Sequence, residues 1–203
     1  MSRVVDLPLR YVTPDSWAAQ ALCDPLALLN DHAHLEKKAA ANALELVTRW
    51  PEPEPPEYWV EKLTAVARDE VEHLAVVARI LARRGGRLAR QHRNEYASAL
   101  RKQVRLGEGP VELLDRLMVS ALIEARSCER FELLSRGCAE PELRKLYAGL
   151  WASENGHYRI FIDLAKRMML ADTRVERRWS EMLDFEAELI ASQPPGPRMH
   201  SGV

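Results

Sequence analysis

Apolar residues recur at helical spacing along most of the chain, and proline or glycine breaks the pattern at intervals. Leu26, Leu29, Ala33, Ala40, Ala43 and Val47 share one face of a segment that opens on Asp24-Pro25, an N-cap followed by proline at the first helical position, and runs to Trp50. Pro51-Glu52-Pro53-Glu54-Pro55-Pro56 cannot be helical and makes a stiff connection. A second stripe of Leu63, Val66, Leu74, Val77 and Leu81 starts near Glu57 and stops at Gly85-Gly86. A shorter helix is expected around Asn94–Leu106. Gly107-Glu108-Gly109-Pro110 then opens a third long stripe, Leu113, Leu117, Ala121, Cys128 and Phe131, that ends at Gly137. Glu140-Pro141 opens a fourth, Leu143, Leu146, Leu150, Phe161, Leu164 and Met168, expected to run to about Leu170. Asp15 and Ser16 cap a short helix through Leu22, and Asp172-Thr173 cap a last one to about Ile190. Strand alternation is missing. The pattern predicts an all-α bundle of four long helices with additional short and C-terminal helices, one domain over residues 1–192, and a proline-rich mobile tail at 193–203.

Polar residues interrupt these stripes at matched places. Glu70 and His73 are one turn apart on the apolar face of the second long helix, and Glu154 and His157 repeat the spacing on the fourth. Glu36 and Glu124 sit in the stripes of the first and third. A carboxylate aimed into a core costs several kcal/mol unless a cation meets it, and a metal ion answers that need. Glu36 lies about 14 residues before the first interhelical turn and Glu70 about 13 after it, while Glu124 and Glu154 each lie about 13 residues from the second turn. At about 1.5 Å per residue, equal arms bring each set to one height in an antiparallel hairpin. Four carboxylates and two imidazoles therefore converge in mid-bundle, with a long crossover between the hairpins.

Composition narrows the setting. A chain of 203 residues with 47% hydrophobic content buries a substantial core. No apolar run reaches membrane-spanning length and the first residues lack the apolar stretch of a secretory signal, so a soluble, cytoplasmic protein without membrane contact is expected. Cys23, Cys128 and Cys138 form no Cys-x-x-Cys pair, which excludes a disulfide framework and a rubredoxin-type site. The net charge of −1 conceals asymmetry: between Arg79 and Arg105 there are nine cations against the single acid Glu95, leaving the remainder at −9. Such a basic stretch in an acidic chain suits a polyanionic partner. Arg83, Arg84, Arg87, Arg90, Arg93, Arg101 and Lys102 are the candidate nucleic-acid contacts, with Lys37 and Lys38 a weaker second patch.

The Glu, Glu-x-x-His, Glu, Glu-x-x-His order resembles the ferritin-like di-iron carboxylate fold. The resemblance implies that Glu36, Glu70 and His73 bind one iron and Glu124, Glu154 and His157 the other, with Glu70 and Glu154 bridging. Within that superfamily, Asp31-His32-Ala33-His34-Leu35-Glu36-Lys37-Lys38-Ala39-Ala40, Asp69-Glu70-Val71-Glu72-His73 and Leu122-Ile123-Glu124-Ala125-Arg126-Ser127, together with the arginine-rich crossover, resemble the bacterial tRNA hydroxylase family MiaE. That resemblance implies an O2-dependent di-iron monooxygenase acting on the isopentenyl side chain of 2-methylthio-N6-isopentenyladenosine in tRNA. It implies two iron ions per chain, tRNA as partner and an external donor of two electrons, since no flavin, Fe–S or dinucleotide motif is present. A ferritin-like ferroxidase or peroxidase is the alternative, against which the basic crossover and the missing rubredoxin module argue.

The prenyl pocket is expected on the open face between the first and third long helices, at Ala40, Ala43, Ala121, Cys128 and Phe131. Ala40 leaves room for the tail or lets helices approach, and Cys128 lines the pocket or packs. Asp69 is a candidate to orient a ligand histidine or an exposed capping residue. Tyr96, His92 and Trp59 are available to stack on a base. His32 lies one turn before Glu36 and His34 half a turn, and neither is assigned as a ligand.

Overall fold

The structure, a computed structural model, describes residues 7–168 and 172–203. Its helices are α1 (Ser16–Ala21), α2 (Pro25–Val47), α3 (Glu57–Arg83), α4 (Glu95–Arg101), α5 (Pro110–Gly137), α6 (Pro141–Arg167) and α7 (Asp172–Ala191), and no strand occurs among the described residues. The breakers act as their chemistry requires. Asp24 Oδ1 accepts the Ala27 N–H at 3.0 Å ahead of Pro25, and Asn94 accepts the Ala97 N–H at 2.9 Å at the start of α4. Gly85, at φ 80°, closes α3, and Gly109, at φ 57°, turns the chain into Pro110. α6 closes at Arg167; Leu170, where the pattern put its end, lies outside the described residues, as do the side chains of the expected α7 caps.

Two antiparallel hairpins, α2–α3 and α5–α6, form the bundle, and α3 packs beside α6. At the first turn the buried Trp59 indole donates to the Leu46 and Val47 carbonyls (3.1 and 3.2 Å), satisfying the C-terminal end of α2. α5 is buried on nearly every face, because α1, α4 and α7 cover what α6 leaves open. That burial encloses charge. Arg126 is fully buried and meets Glu186 of α7 at 2.8 Å, Glu129 and the Tyr11 carbonyl.

The C-terminal segment departs from the mobile tail expected at 193–203. Met199, His200 and Ser201 are buried. Asp31 accepts the Met199 N–H at 2.9 Å, the Trp17 indole donates to Ser201 Oγ at 2.9 Å, and the Ser201 carbonyl accepts from the buried Arg130 guanidinium at 3.0 Å. Proline and glycine make this segment irregular, yet irregular backbone stays fixed when buried donors need its acceptors.

Candidate metal centre

α2 brings Glu36, α3 Glu70 and His73, α5 Glu124, and α6 Glu154 and His157 to one level of the bundle. Ligand-capable atoms of Glu36, Glu70, His73 and Glu154 all lie within 4.8 Å of one another, and so do those of Glu70, Glu124, Glu154 and His157. Glu70 and Glu154 belong to both groups. The four carboxylates and His157 are buried, and the His73 side chain is 14% exposed. Both imidazoles turn Nδ1 inward: that of His73 is 3.2 Å from Glu154 and 3.6 Å from Glu70, that of His157 is 2.7 Å from Glu70 and 3.3 Å from Glu154.

The cluster is electrostatically incomplete as protein alone. Burial, then the charges of Glu154 and Glu36, push the Glu70 carboxyl up to about 8. Burial and Glu154 also drive Glu124 well above the ordinary carboxylate range. Burial works against imidazolium, but the carboxylates close around each ring outweigh it and raise His73 to about 12 and His157 to about 10. Even so, both Glu70 oxygens, Glu154 Oε1 and His73 Nδ1 make no hydrogen bond of good geometry; the 2.7 Å approach of His157 to Glu70 is close but misaligned. Buried polar atoms left so cost about 1–3 kcal/mol each, whereas a divalent ion would engage all of them. Oxygen-rich donors with two imidazoles suit iron or manganese, so these residues fit a metal pair.

His32 belongs to this centre, though it received no role from the sequence. Its Nε2 hydrogen-bonds Glu36 Oε1, and its ring packs on Phe131 and Tyr147 at 5.0 and 5.8 Å. Desolvation lowers it to about 4, so it stands neutral and orients Glu36. The i, i+4 spacing to Glu36 was the available signal. Asp69 faces His157 across the α3–α6 interface rather than His73 on its own helix, with Oδ2 3.4 Å from Nε2.

A family model described as tRNA-(MS2IO6A)-hydroxylase (MiaE) matches residues 2–201. The chain belongs to the MiaE family. It is 40% identical over 200 residues to the tRNA 2-(methylsulfanyl)-N(6)-isopentenyladenosine(37) hydroxylase of Pseudomonas putida, covering 98% of this chain and 94% of that one. The Salmonella typhimurium protein of the same name is 29% identical, covering 96% and 88%. Among solved structures, a Synechococcus protein with aldehyde deformylating oxygenase activity superposes with a TM-score of 0.87 at 34% identity, over 98% of this chain and 97% of that one. The all-helical architecture is accordingly ferritin-like and the chain a MiaE-family hydroxylase.

Two openings in this MiaE chain approach the cluster. A groove of about 40 Å³ between α2, α4 and α5 is walled by Leu35, Ala39, Val119 and Ile123, rimmed by Lys38 and Arg101, and floored by Glu124. A cleft of about 350 Å³ between α3 and α6 is lined by Val76, Ile80, Leu146, Gly149 and Leu150 and reaches His73. The residues expected to line the prenyl pocket line neither: Ala40, Ala43, Ala121, Cys128 and Phe131 are core residues, Phe131 against His32 and Tyr147. An α5 buried on nearly all faces explains this, since the stripe below Glu124 points into the core and the adjoining face, Val119 to Ile123, meets the groove.

The basic stretch divides. Arg83 pairs with Glu142, Arg84 with Glu140 and Glu142, and Arg105 with Asp115. Arg87, Arg90, Arg93, Arg101 and Lys102 are exposed and form no ion pair among the described residues. None of the three expected stacking side chains is free. Trp59 and Tyr96 are fully buried, Tyr96 donating to Glu186 at 2.8 Å, and His92 is held between Asp31 (2.7 Å) and Lys38 (2.9 Å). No helix among the described residues is long and apolar enough to cross a membrane.

Proposed function

We propose that this chain hydroxylates the isopentenyl side chain of 2-methylthio-N6-isopentenyladenosine in tRNA, with O2 as co-substrate and two iron ions held by Glu36, Glu70 and His73 and by Glu124, Glu154 and His157. The observation that carries the reading is the pair of buried carboxylate–imidazole groups that share Glu70 and Glu154 beneath a groove rimmed by cations. Iron, when bound, supplies the O2 activation and aliphatic C–H oxidation that no side chain can perform. The protein's share is placement. Both imidazoles come from α3 and α6, so the side facing α2 and α5 contributes only Glu36 and Glu124 and leaves the approach there to the substrate. Leu35, Ala39 and Ile123 hold the apolar tail and exclude water, while Lys38 and Arg101 meet the phosphates outside. One oxygen atom enters the product and the other leaves as water, with two electrons from an external donor and two protons from solvent.

The test is mass spectrometry of nucleosides from prenylated, methylthiolated tRNA after incubation with iron-loaded protein, a reductant and 18O2. A product heavier by one labelled oxygen is expected, and label from water or an unmodified base overturns the reading. A second reading rests on the roomy α3–α6 cleft reaching His73: an aliphatic aldehyde bound there would be deformylated, as the Synechococcus protein's name describes. Incubating the same preparation with a medium-chain aldehyde and finding formate favours it; its absence excludes it.

A further inference from the structure

The crossover between α3 and α4 has no regular structure from Gly86 to Asn94, yet it is clamped onto α2. Ala89 is held through both of its backbone polar groups: its N–H donates to Asn30 Oδ1 at 2.8 Å and its carbonyl bonds His34 Nε2 at 2.9 Å. Three residues on, His92 stacks on His34 with ring centroids 4.7 Å apart and planes 1° from parallel, and its nitrogens engage Asp31 and Lys38. Lys38 also rims the groove above Glu124, so the clamped loop borders the mouth of the site.

This clamp holds an exposed apolar side chain outward. Leu88 is 45% exposed, directly before the doubly anchored Ala89, and Arg87 and Arg90 on either side of it have no ion pair among the described residues. Other exposed apolar side chains lack that setting: Val71 is next to Glu72, Leu44 next to Glu45, and Leu106 follows an Arg105 already spent on Asp115. A rigid apolar tip between two free cations matches what a nucleic-acid wedge needs. The cations take the flanking phosphates, and the apolar group replaces a base that leaves the stack.

We propose that Leu88 is an RNA-contacting wedge that enters the base stack of the tRNA loop beside the target adenosine, holding that base unstacked so that its tail can enter the α2–α4–α5 groove. This rests on the tRNA hydroxylase reading above. The groove ends on the buried Glu124, which the tail of a base still in its stack would not reach, so some group must hold the gap open, and Trp59, Tyr96 and His92 are all occupied elsewhere.

The experiment compares the iron-loaded parent with Leu88→Ser and Leu88→Met. The substrates are a prenylated, methylthiolated stem-loop RNA carrying 2-aminopurine beside the target and the free modified nucleoside, which needs no unstacking. Binding of the parent is expected to raise the 2-aminopurine fluorescence, Leu88→Ser to abolish that rise and lower kcat/KM on the stem-loop about tenfold, and Leu88→Met to restore both. Turnover of the free nucleoside is expected to stay within about twofold of the parent for all three. A Leu88→Ser protein that unstacks and hydroxylates the stem-loop like the parent overturns the wedge alone, as does an equal loss on both substrates. A parent that hydroxylates neither substrate overturns the function itself. The fluorescence arm requires no turnover and decides the wedge even where the nucleoside binds too weakly to react.

Discussion

Removing the Asp69 carboxylate tests one half of the proposed metal pair. Asp69 Oδ2 lies 3.4 Å from His157 Nε2, while Nδ1 of the same ring faces Glu70 and Glu154. The ring orientation is thus fixed at its outer nitrogen and used at its inner one. Outer-shell carboxylates of this kind are worth about 10–100-fold in metal affinity. Asp69 belongs at the low end, because 3.4 Å is long for a charge-assisted bond, the side chain is 35% exposed, and Arg68 shares its other oxygen at 3.1 Å. Asp69→Ala should therefore weaken one ion by about tenfold, or about 1.4 kcal/mol. The ion with His73 in its set should keep its affinity, since the Asp69 carboxylate bonds His157 and not the His73 ring. Anaerobic Fe(II) titration, fitted to two sites, measures both constants. Asp69→Asn retains an acceptor without the charge and should fall between parent and alanine variant. Equal weakening of both sites would reveal a general loosening of the α3–α6 interface instead, and unchanged constants would remove Asp69 from the centre; either refutes the reasoning.

Three further outcomes follow from the same coordinates. In metal-free protein His73 (about 12) and His157 (about 10) lie above their unfolded value of 6.5 and Glu70 (about 8) above 4.5, so the folded state holds the extra protons; their stabilisation falls as pH rises from 6.5 to 8.5, while metal must displace those protons and binds better. The rise in Tm on adding Fe(II) or Mn(II) should accordingly grow across that range, and a constant increment by calorimetry would contradict the assigned shifts. Ala39→Phe should fill the groove and abolish tRNA hydroxylation with iron retained, whereas Gly149→Phe, whose added Cβ meets open space, should fill the cleft and leave it intact; the reverse pattern in the 18O2 assay would move the tail to the α3–α6 side. Glu186→Ala leaves the buried Arg126 with Glu129 and deprives the Tyr96 hydroxyl of its acceptor, which should cost about 3–5 kcal/mol and lower Tm by roughly 6–20 °C; a loss below about 3 °C in a thermal scan would show the network to be dispensable.

The helices and the height of the site were legible because both are local or periodic properties. Asp24-Pro25 and Gly109-Pro110 mark their boundaries by backbone chemistry alone, and a Glu-x-x-His within an apolar stripe declares a buried polar cluster whatever the neighbours. What went unread depends on partners distant in the chain. Ala121 and Cys128 share a stripe with Glu124, but whether that stripe meets a pocket or the core depends on α1, α4 and α7 closing over α5. The 193–203 segment reads as coil, and nothing local says that Arg130 and Trp17 require Ser201. Tyr96 and Trp59 resemble surface aromatics in sequence and turn inward, where Tyr96 joins Arg126 on Glu186 and Trp59 satisfies carbonyls at the end of α2.

The ion pairs of Arg83 and Arg84 also explain why the two sides of the bundle are not equivalent. Glu140 and Glu142, 56 to 59 residues away in sequence, neutralise the arginines at the end of α3. That leaves the α3–α6 cleft beside two compensated arginines, with Lys145 as the cation on its wall, and its floor is an imidazole. On the α2 side Arg87, Arg90, Arg93, Arg101 and Lys102 have no acidic partner among the described residues, and the groove rimmed by Arg101 and Lys38 ends on a carboxylate. A polyanion gains most counterion-release energy where cations are unpaired, so the proposed tRNA contact belongs on the α2 side, where the cluster offers Glu36 and Glu124 and His32 faces Glu36. Pairing two arginines internally thus sharpens the basic surface by confining it, and a Glu140→Gln, Glu142→Gln protein should bind tRNA more tightly while hydroxylating it no faster under saturating conditions.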